Sequence, residues 1–228
     1  MEKSFIPFIK QTIASLLKAA SHLVLPCCCT YCKQLLYQRT ILCDACLAMI
    51  RPIVSGSIQL TTTRSIKVIA LSAYKDPVRR LILAKRWSDI QAGAQLGQLI
   101  WDLTHFATIQ ADYIVPIPLH WSRYAKRGFN QAEQMSRVLA KKRTIPMAKI
   151  IKRVRKTKFQ AGLSATERQS NVQQAFELVG GNLERYKHKH IILVDDLMTT
   201  GSTIKAAART LLAVQPASIT VVVAARVV

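Results

Sequence analysis

The stretch Ile191–Thr203, which reads IILVDDLMTTGST, decides the fold of this chain. Its first four residues are apolar, Asp195 and Asp196 follow, and a turn rich in Thr, Gly and Ser comes next. Residues 204–212 have a helix-forming composition, so the pattern predicts a buried strand, a loop and a helix. Backbone N–H groups at the start of such a helix suit a phosphate, and the carboxylates suit the hydroxyls of a ribose. The stretch therefore predicts a site for a sugar phosphate, with a merely structural strand-turn-helix as the alternative.

Strands and helices alternate through most of the chain. We expect strands at 66–74, 113–117, 150–154, 176–179, 191–194 and 219–225, and helices at 77–87, 91–106, 131–142 and 202–214. Asp76 is expected to cap the first of these helices, with Pro77 at its first helical position. The polar segment 55–64 is expected to be a linker. The alternation predicts an α/β fold with a parallel sheet, occupying residues 65–228.

The first 25 residues have apolar side chains at helical spacing, which predicts an amphipathic helix. We expect this helix to pack on the protein itself, with a partner or a membrane surface as alternatives. A signal peptide needs an uninterrupted apolar run, and Lys10 and Lys18 break the run here, which argues against one. No run approaches the ~20 apolar residues of a membrane-spanning helix. We therefore expect a cytoplasmic protein.

All six cysteines of the chain lie between Cys27 and Cys46. Four of them form the pattern C-x2-C-x10-C-x2-C, namely Cys29, Cys32, Cys43 and Cys46. Two CxxC pairs at this separation can meet at one tetrahedral Zn²⁺, and four thiolates leave no open coordination position. The sequence thus predicts a structural zinc module over residues 26–55, with redox-active or free thiols as the alternative. The role of Cys27 and Cys28 stays open.

The formal net charge is +21, from 33 basic and 12 acidic residues, and the excess is local. Fourteen Lys or Arg residues lie between Arg123 and Arg168, against only Glu133 and Glu167. Such an excess favours a polyanionic partner, either nucleic acid or an anionic membrane surface. A charge that serves only solubility is the alternative.

Two further segments have residue types suited to phosphate groups. Residues 116–131 read PIPLHWSRYAKRGFNQ, in which three cations lie within five residues and Asn130 and Gln131 add neutral donors. We expect a loop that grips pyrophosphate, with a basic helix start as the alternative. Residues 156–172 combine cations and amides with Phe159, which suits either a nucleic-acid backbone or a mobile loop over a phosphorylated ligand.

Taken in order, these segments resemble the ComF family of competence-associated proteins. The matching parts are the paired CxxC, the PIPL…RGFNQ segment, the Gln160…Arg168…Asn171 segment and the VDD…TTG loop. The last of these is similar to the loop that binds phosphoribosyl pyrophosphate (PRPP) in type I phosphoribosyltransferases. The resemblance implies a type I phosphoribosyltransferase fold with a small N-terminal zinc-ribbon-like module. It also implies a role in natural transformation, in which such proteins help to bring single-stranded DNA into the cytoplasm.

The resemblance also assigns roles to residues. Those expected to bind PRPP with Mg²⁺ are Asp195, Asp196, Thr199, Thr200, Gly201, Ser202 and Thr203, the two acids being the catalytic candidates. Pyrophosphate is expected at Lys85, Arg123 and Arg127. The basic stretch from Arg123 to Arg168, and not the resemblance, is the basis for expecting single-stranded DNA at Lys152, Arg153, Arg155, Lys156 and Lys158. Other DNA-uptake proteins are the further partners that the resemblance implies.

Three functions remain open at this point. The first is a DNA-binding competence factor whose PRPP pocket is a ligand or regulatory site. The second is an active phosphoribosyltransferase that transfers phosphoribosyl from PRPP to a nitrogenous base, although no base-selecting hood is evident in the sequence. The third is a PRPP-sensing transcription regulator, for which the sequence has no helix-turn-helix pattern.

Overall fold

A computed structural model describes residues 27–38, 40–84, 89–154 and 175–227. The chain divides into two compact units, the first ending at Met49 and the second comprising Ile50–Val228. The amphipathic helix predicted over 1–25 lies outside the described residues, and so do Lys85, Arg155, Lys156 and Lys158. Within the described ranges, no helix has the length and apolar character needed to cross a bilayer.

The first unit is a small module organised by turns around its cysteines. The Cys29 N–H donates to the Gln34 carbonyl at 2.8 Å, and the Lys33 N–H donates to the Cys29 carbonyl at 3.0 Å. Lys33 completes this turn with a left-handed φ of 67°. A short helix, α1 (Asp44–Ala48), follows the third of the four predicted ligands and buries the fourth, Cys46.

The second unit is built on a five-stranded sheet with helices packed against it. Its strands are β1 (Ile53–Gln59), β2 (Ser65–Ala73), β3 (Tyr113–Pro116), β6 (His190–Met198) and β7 (Ser218–Arg226), in the spatial order β1-β2-β7-β6-β3. Two more strands, β4 (Ile151–Arg153) and β5 (Phe176–Leu178), form a separate antiparallel pair. The helices are α2 (Val78–Leu83), α3 (Gln91–Leu103), α4 (Trp121–Arg127), α5 (Gln131–Arg143) and α6 (Ser202–Leu211). Short 3₁₀ segments lie at His105–Thr108, Glu184–Tyr186 and Leu212–Val214.

The core of the sheet is parallel. β2, β7, β6 and β3 are joined by parallel ladders, and β1 is added to β2 in antiparallel orientation. Ile191–Val194, in the first half of β6, are at most 1 % exposed, as expected of a strand covered on both faces. Because the four strands run in one direction, their carboxyl ends share one edge of the sheet. The acidic pair and the loop before α6 lie at that edge.

The predicted α/β class with a mainly parallel sheet is confirmed, and several element boundaries differ from expectation. Segment 55–64, expected to be a linker, contains most of β1, which pairs with β2 through a register that shifts between Ile53 and Gly56. α2 begins at Val78 with Pro77 as its N-cap, so Asp76 is not the cap. The second helix ends at Leu103 and a 3₁₀ turn follows it.

The strand of the deciding stretch is longer than expected. β6 continues from Val194 to Met198, and Asp195, Leu197 and Met198 pair with Val223, Ala225 and Arg226 of β7. The acidic pair is therefore part of the strand and not of the loop. Asp has low strand propensity, but pairing along the full length of β7 overrides it.

Candidate functional site

The two carboxylates of the deciding stretch lie near the carboxyl end of a central strand. Asp195 and Asp196 are half-buried, whereas the preceding residues of β6 are buried. The Asp195 Oδ1 accepts a hydrogen bond from the Asp196 N–H at 2.9 Å. The pair thus places two adjacent carboxylates at the carboxyl edge of the sheet.

The loop after β6 is shaped by Gly201, which is the N-cap of α6 with φ 74°. A Cβ at this position would lie 3.2 Å from the Ile58 Cδ1 of β1 and 3.4 Å from the Met198 Cε. The left-handed backbone conformation of this position favours glycine, and a Cβ here would require the Ile58 Cδ1 to move by a few tenths of an ångström. The tight turn leaves Thr199, Thr200 and Ser202 exposed around the first turn of α6.

The start of α6 has the properties of an anion site. The first N–H groups of any helix lack an acceptor within the helix, and the helix dipole is positive at that end. Hydroxyls surround this end, because the Thr200 Oγ1 donates to the Ser202 Oγ at 3.2 Å and Thr203 is half-exposed beside them. Backbone donors and hydroxyls together suit the oxygens of a phosphate monoester.

The charge of Arg153 interacts with two others, those of Arg123 and Asp195. Burial lowers the pKa of the Arg153 guanidinium below its usual value, the charge of Arg123 lowers it further, and Asp195 opposes both effects. The guanidinium also lies 5.5 Å from the centre of the Phe176 ring of β5. The sequence predicts a DNA contact for Arg153, and no sequence signal connects this residue with the acidic pair. The structure brings it within the electrostatic reach of that pair.

Lys152, which is predicted together with Arg153 to bind DNA, has a different environment. Its Nζ lies 3.1 Å from the Glu177 Oε2, across the β4–β5 ladder, and both side chains are more than half exposed. The two described members of the predicted DNA set thus differ, since Arg153 neighbours the acidic pair and Lys152 is part of a surface ion pair.

The RGFNQ segment is structural where we expected a phosphate-gripping loop. Gly128 ends α4 with φ 75°, and Phe129 is buried. The buried Asn130 donates from Nδ2 to the Ile117 carbonyl at 2.9 Å and caps α5 through Oδ1. Gln131 donates from Nε2 to the Leu81 carbonyl of α2 at 3.1 Å. The amides predicted as ligand donors therefore hold helices and strands together, and the basic residues before them form a helix.

The four predicted zinc ligands converge in the first unit. The sulfurs of Cys29, Cys32, Cys43 and Cys46 all lie within 4.8 Å of one another, and the Cys32 and Cys43 sulfurs are 3.6 Å apart. A disulfide would hold two sulfurs at about 2.05 Å. Tetrahedral zinc with Zn–S bonds of about 2.3 Å places them about 3.8 Å apart. The spacing thus fits a four-thiolate metal site and not a disulfide.

The thiols of this cluster differ in acidity. Burial raises the pKa of Cys29, but hydrogen bonds from the backbone N–H groups of Cys43, Cys32 and Tyr31 outweigh it and lower the pKa to about 6. Burial and the neighbouring thiols raise the pKa of Cys46 to about 12. Four thiolates therefore need a cation among them, which is the usual behaviour of a structural metal site.

A cavity of about 330 Å³ lies away from the acidic pair. It is lined in part by Tyr113, Gly180, Arg185 and Tyr186. Tyr113 begins β3, so the cavity is near the amino end of that strand, whereas Asp195 is near the carboxyl end of β6. The cavity is not part of the predicted sugar-phosphate site.

Residues 104–227 match the family described as the phosphoribosyl transferase domain. The match covers more than half of the chain and includes the acidic pair, the Gly201 loop and α6. The chain belongs to the phosphoribosyl transferase domain family. Within that family it is a ComF-type protein of the type I phosphoribosyltransferase fold, which confirms the resemblance identified in the sequence.

Relatives of this phosphoribosyltransferase-like chain include two kinds of bacterial protein. It is 39 % identical to Competence protein F of Haemophilus influenzae over 146 residues, which are 60 % of this chain and 63 % of that protein. The matched region is thus slightly less than two thirds of that relative. It is 30 % identical to the DNA utilization protein YhgH of Salmonella typhimurium over 196 residues, which are 81 % of this chain and 83 % of that protein.

Solved structures with a related fold are more distant. One is the orotate phosphoribosyltransferase of Mycobacterium tuberculosis, with 16 % identity, a TM-score of 0.35 and coverage of 78 % of both chains. Another is the glutamine PRPP amidotransferase of B. subtilis, with 15 % identity and a TM-score of 0.40, covering 57 % of this chain and 25 % of that one.

Proposed function

We propose that this protein binds single-stranded DNA during natural transformation and holds PRPP, with Mg²⁺, at the carboxyl edge of its sheet. The observation that most supports the proposal is the arrangement of Asp195 and Asp196 directly before the Gly201 loop and the start of α6. Relatives with the names Competence protein F and DNA utilization protein support the DNA-handling part. The net charge of +21 supports a polyanionic partner.

In this proposal each end of PRPP meets a different part of the loop. The 5′-phosphate accepts hydrogen bonds from backbone N–H groups at Gly201–Thr203 and from the hydroxyls of Thr199 and Thr200. The ribose hydroxyls donate to the carboxylates of Asp195 and Asp196. Carboxylate oxygens are also the protein ligands that Mg²⁺ prefers, and bound Mg²⁺ would neutralise the charge of the pyrophosphate.

The pyrophosphate is assigned to the cations near Asp195. Arg123 and Arg153 are close enough for the charge of one to lower the pKa of the other, so an anion between them would relieve their repulsion. The paired N–H donors of a guanidinium group match the spacing of the oxygens of a pyrophosphate. Arg127 lies one turn after Arg123 on α4 and extends the same basic surface. Lys85 remains a proposed member of this group.

The cysteine cluster is proposed to hold a structural zinc ion. Cys29, Cys32, Cys43 and Cys46 supply four thiolates with sulfur spacings that fit tetrahedral zinc, as described above. Such an ion would fix the turn around Cys29 and the start of α1. Because no ligand position remains open, we assign it no part in chemistry.

The DNA part of the proposal is tested by salt titration of binding. For single strands, log K falls against log salt with a slope of about −0.7 per phosphate contact. Alanine replacement of Lys152, Lys156 and Lys158 is expected to flatten the slope by about 2. Replacement of Lys67, Lys75 and Lys187, three exposed lysines elsewhere in the second unit, is the matched control and is expected to change it little. A slope that the triple replacement leaves unchanged contradicts this placement of the DNA site.

A second candidate is an active phosphoribosyltransferase. The observation that favours it is that the family match spans the whole acidic edge, from β3 to α6. In the reaction a nitrogen nucleophile attacks C1 of the ribose and pyrophosphate leaves with its bonding electron pair. Arg123 and Arg153 would stabilise the leaving group, and the carboxylates would stabilise positive charge on the ring. Pyrophosphate release in the presence of candidate bases would support this function, and PRPP binding without release across a broad panel of bases would contradict it.

A further inference from the structure

Helix α4 exposes two large aromatic side chains. Trp121 is 73 % exposed and Tyr124 is 49 % exposed, and no residue of this helix is buried. Neither ring therefore contributes much to the core, which is where large aromatic side chains usually have their stabilising role. This exposure is confined to α4, because Phe129, Asn130 and Gln131 immediately after it are buried.

The helix that carries these rings is held in place at both ends. His120, which is 7 % exposed, caps the first turn of α4 by accepting a hydrogen bond from the Ser122 N–H at its Nδ1. The His120 and Trp121 rings have their centres 5.7 Å apart. At the other end Gly128 and the buried Phe129 fix the chain. The aromatic residues are thus exposed on a helix whose two ends are both in contact with the rest of the second unit.

The aromatic side chains and the cations of α4 form one continuous surface. At about 100° per residue, Trp121 and Tyr124 are about 60° apart around the helix, and Arg127 is about 60° beyond Tyr124. Arg123 lies next to Arg127, one turn earlier. From residue 113 to residue 132 the sequence contains no acidic residue, so the charges of this stretch are all positive.

The cationic part of this surface lies near Asp195, at the carboxyl edge of the sheet. Arg123 lowers the pKa of Arg153, and Asp195 acts on the same guanidinium. The surface of α4 therefore has aromatic side chains on one side and cations on the other. The cations are the part that lies near the proposed PRPP site.

We propose that Trp121 and Tyr124 are a stacking surface for the bases of single-stranded DNA, with Arg127 beside its phosphates. Unpaired bases have open faces that stack on aromatic rings regardless of sequence, and cations alongside follow the backbone. A duplex keeps its bases stacked internally and offers these rings little. A second copy of this chain, with its charge of +21, is electrostatically unsuited to a cationic surface. The inference rests on the proposed DNA function and assigns it a site that sequence analysis did not.

The test compares two ligands and three proteins by fluorescence anisotropy at fixed salt. The ligands are a labelled 12-nucleotide oligothymidine and an abasic strand of the same length, which has the same phosphates and no bases. The proteins are the natural chain, W121A/Y124A and W121F/Y124F. Both side chains are exposed, so the variants are expected to fold, and thermal melting checks this.

We expect W121A/Y124A to bind oligothymidine at least about 5-fold and up to about 150-fold more weakly for each stack lost. Its affinity for the abasic strand is expected to be unchanged, because no charge is removed. W121F/Y124F keeps two stacking rings and is expected to retain most of the affinity. Equal binding of oligothymidine by the natural chain and W121A/Y124A would overturn the inference while leaving the DNA function intact. Failure of the natural chain to bind either strand would instead contradict the proposed DNA function.

Discussion

Replacement of Gly201 by Ala is expected to destabilise the second unit by about 1.5 to 3.5 kcal/mol. A left-handed conformation costs a residue with a Cβ about 1–2 kcal/mol, and Gly201 has φ 74°. The new Cβ would also lie 3.2 Å from the Ile58 Cδ1, which must rotate away at a cost of about 0.5–1.5 kcal/mol. For a domain of this size the sum corresponds to a fall in Tm of roughly 3 to 14 °C.

Two other glycines separate the components of this effect. Gly128 has φ 75° with nothing within 4 Å of the position of a Cβ, so G128A is expected to show the conformational cost alone, about 1–2 kcal/mol. Gly181 has neither a left-handed φ nor a neighbour within 4 Å, and G181A is expected to be neutral or slightly stabilising. Thermal and urea denaturation of the three variants gives the comparison.

The contact with Ile58 is tested by a double-mutant cycle. I58V removes the Cδ1, so G201A is expected to cost less in the I58V background than in the natural chain. A G201A protein as stable as G181A would refute the requirement for glycine in the loop, and additive effects of G201A and I58V would refute the contact.

Three further outcomes are expected. Chelation of the metal, or Cys29→Ser, is expected to release bound zinc and unfold the first unit, measured by metal analysis and by proteolysis of that unit; an apo module that resists protease would contradict a structural zinc. Asn130→Ala removes a helix cap and leaves the Ile117 carbonyl unpaired, so a loss of about 2 to 4 kcal/mol is expected in urea denaturation, with Asn130→Ser, which keeps a cap, losing less. Burial raises the pKa of Glu133, but the hydrogen bonds and charges of Lys149 and Arg137 together outweigh it, so the pKa lies below its usual value. The stabilisation is present above about pH 4.3 and lost as pH falls through the lowered pKa, and the stability difference between the natural chain and Glu133→Gln should vanish in acid.

The parts of the fold that the sequence predicted well have strong periodicity or fixed spacing. Ile191–Val194 is a continuous apolar run, and a buried parallel strand has this composition. The four cysteines of the C-x2-C-x10-C-x2-C pattern lie together because two short turns are sufficient to bring the pairs to one point. In both cases the local chemistry and the tertiary environment favour the same structure.

The elements that the sequence did not predict are those that depend on distant residues. β1 reads IVSGSIQ, which lacks clear alternation and contains Gly56, and it is a strand because β2 provides its pairing partner. Helix α4 buries no side chain, so it has no apolar periodicity to detect. The neighbourhood of Arg153 and Asp195 joins residues 42 positions apart, and no local pattern encodes that proximity.

The amides of Asn130 and Gln131 show why residue type alone misassigned part of the site. Both are donors, and donors near a basic segment suit a phosphate. In the structure each donates to a backbone carbonyl, of Ile117 and Leu81 respectively, and buried carbonyls have a strong need for such partners. Their role therefore depends on burial, which the sequence does not give.

The most direct test of the central claim is calorimetric titration of PRPP with Mg²⁺ into the natural protein and into Asp195→Asn/Asp196→Asn. Asp102→Asn, which neutralises an exposed carboxylate of α3, is the matched control. The natural protein and the control are expected to bind alike, and the double variant to bind more weakly by roughly tenfold or more, a loss of at least about 1.4 kcal/mol. Equal binding by the double variant, or no binding by a folded natural protein, would contradict a PRPP site at the carboxyl edge of the sheet.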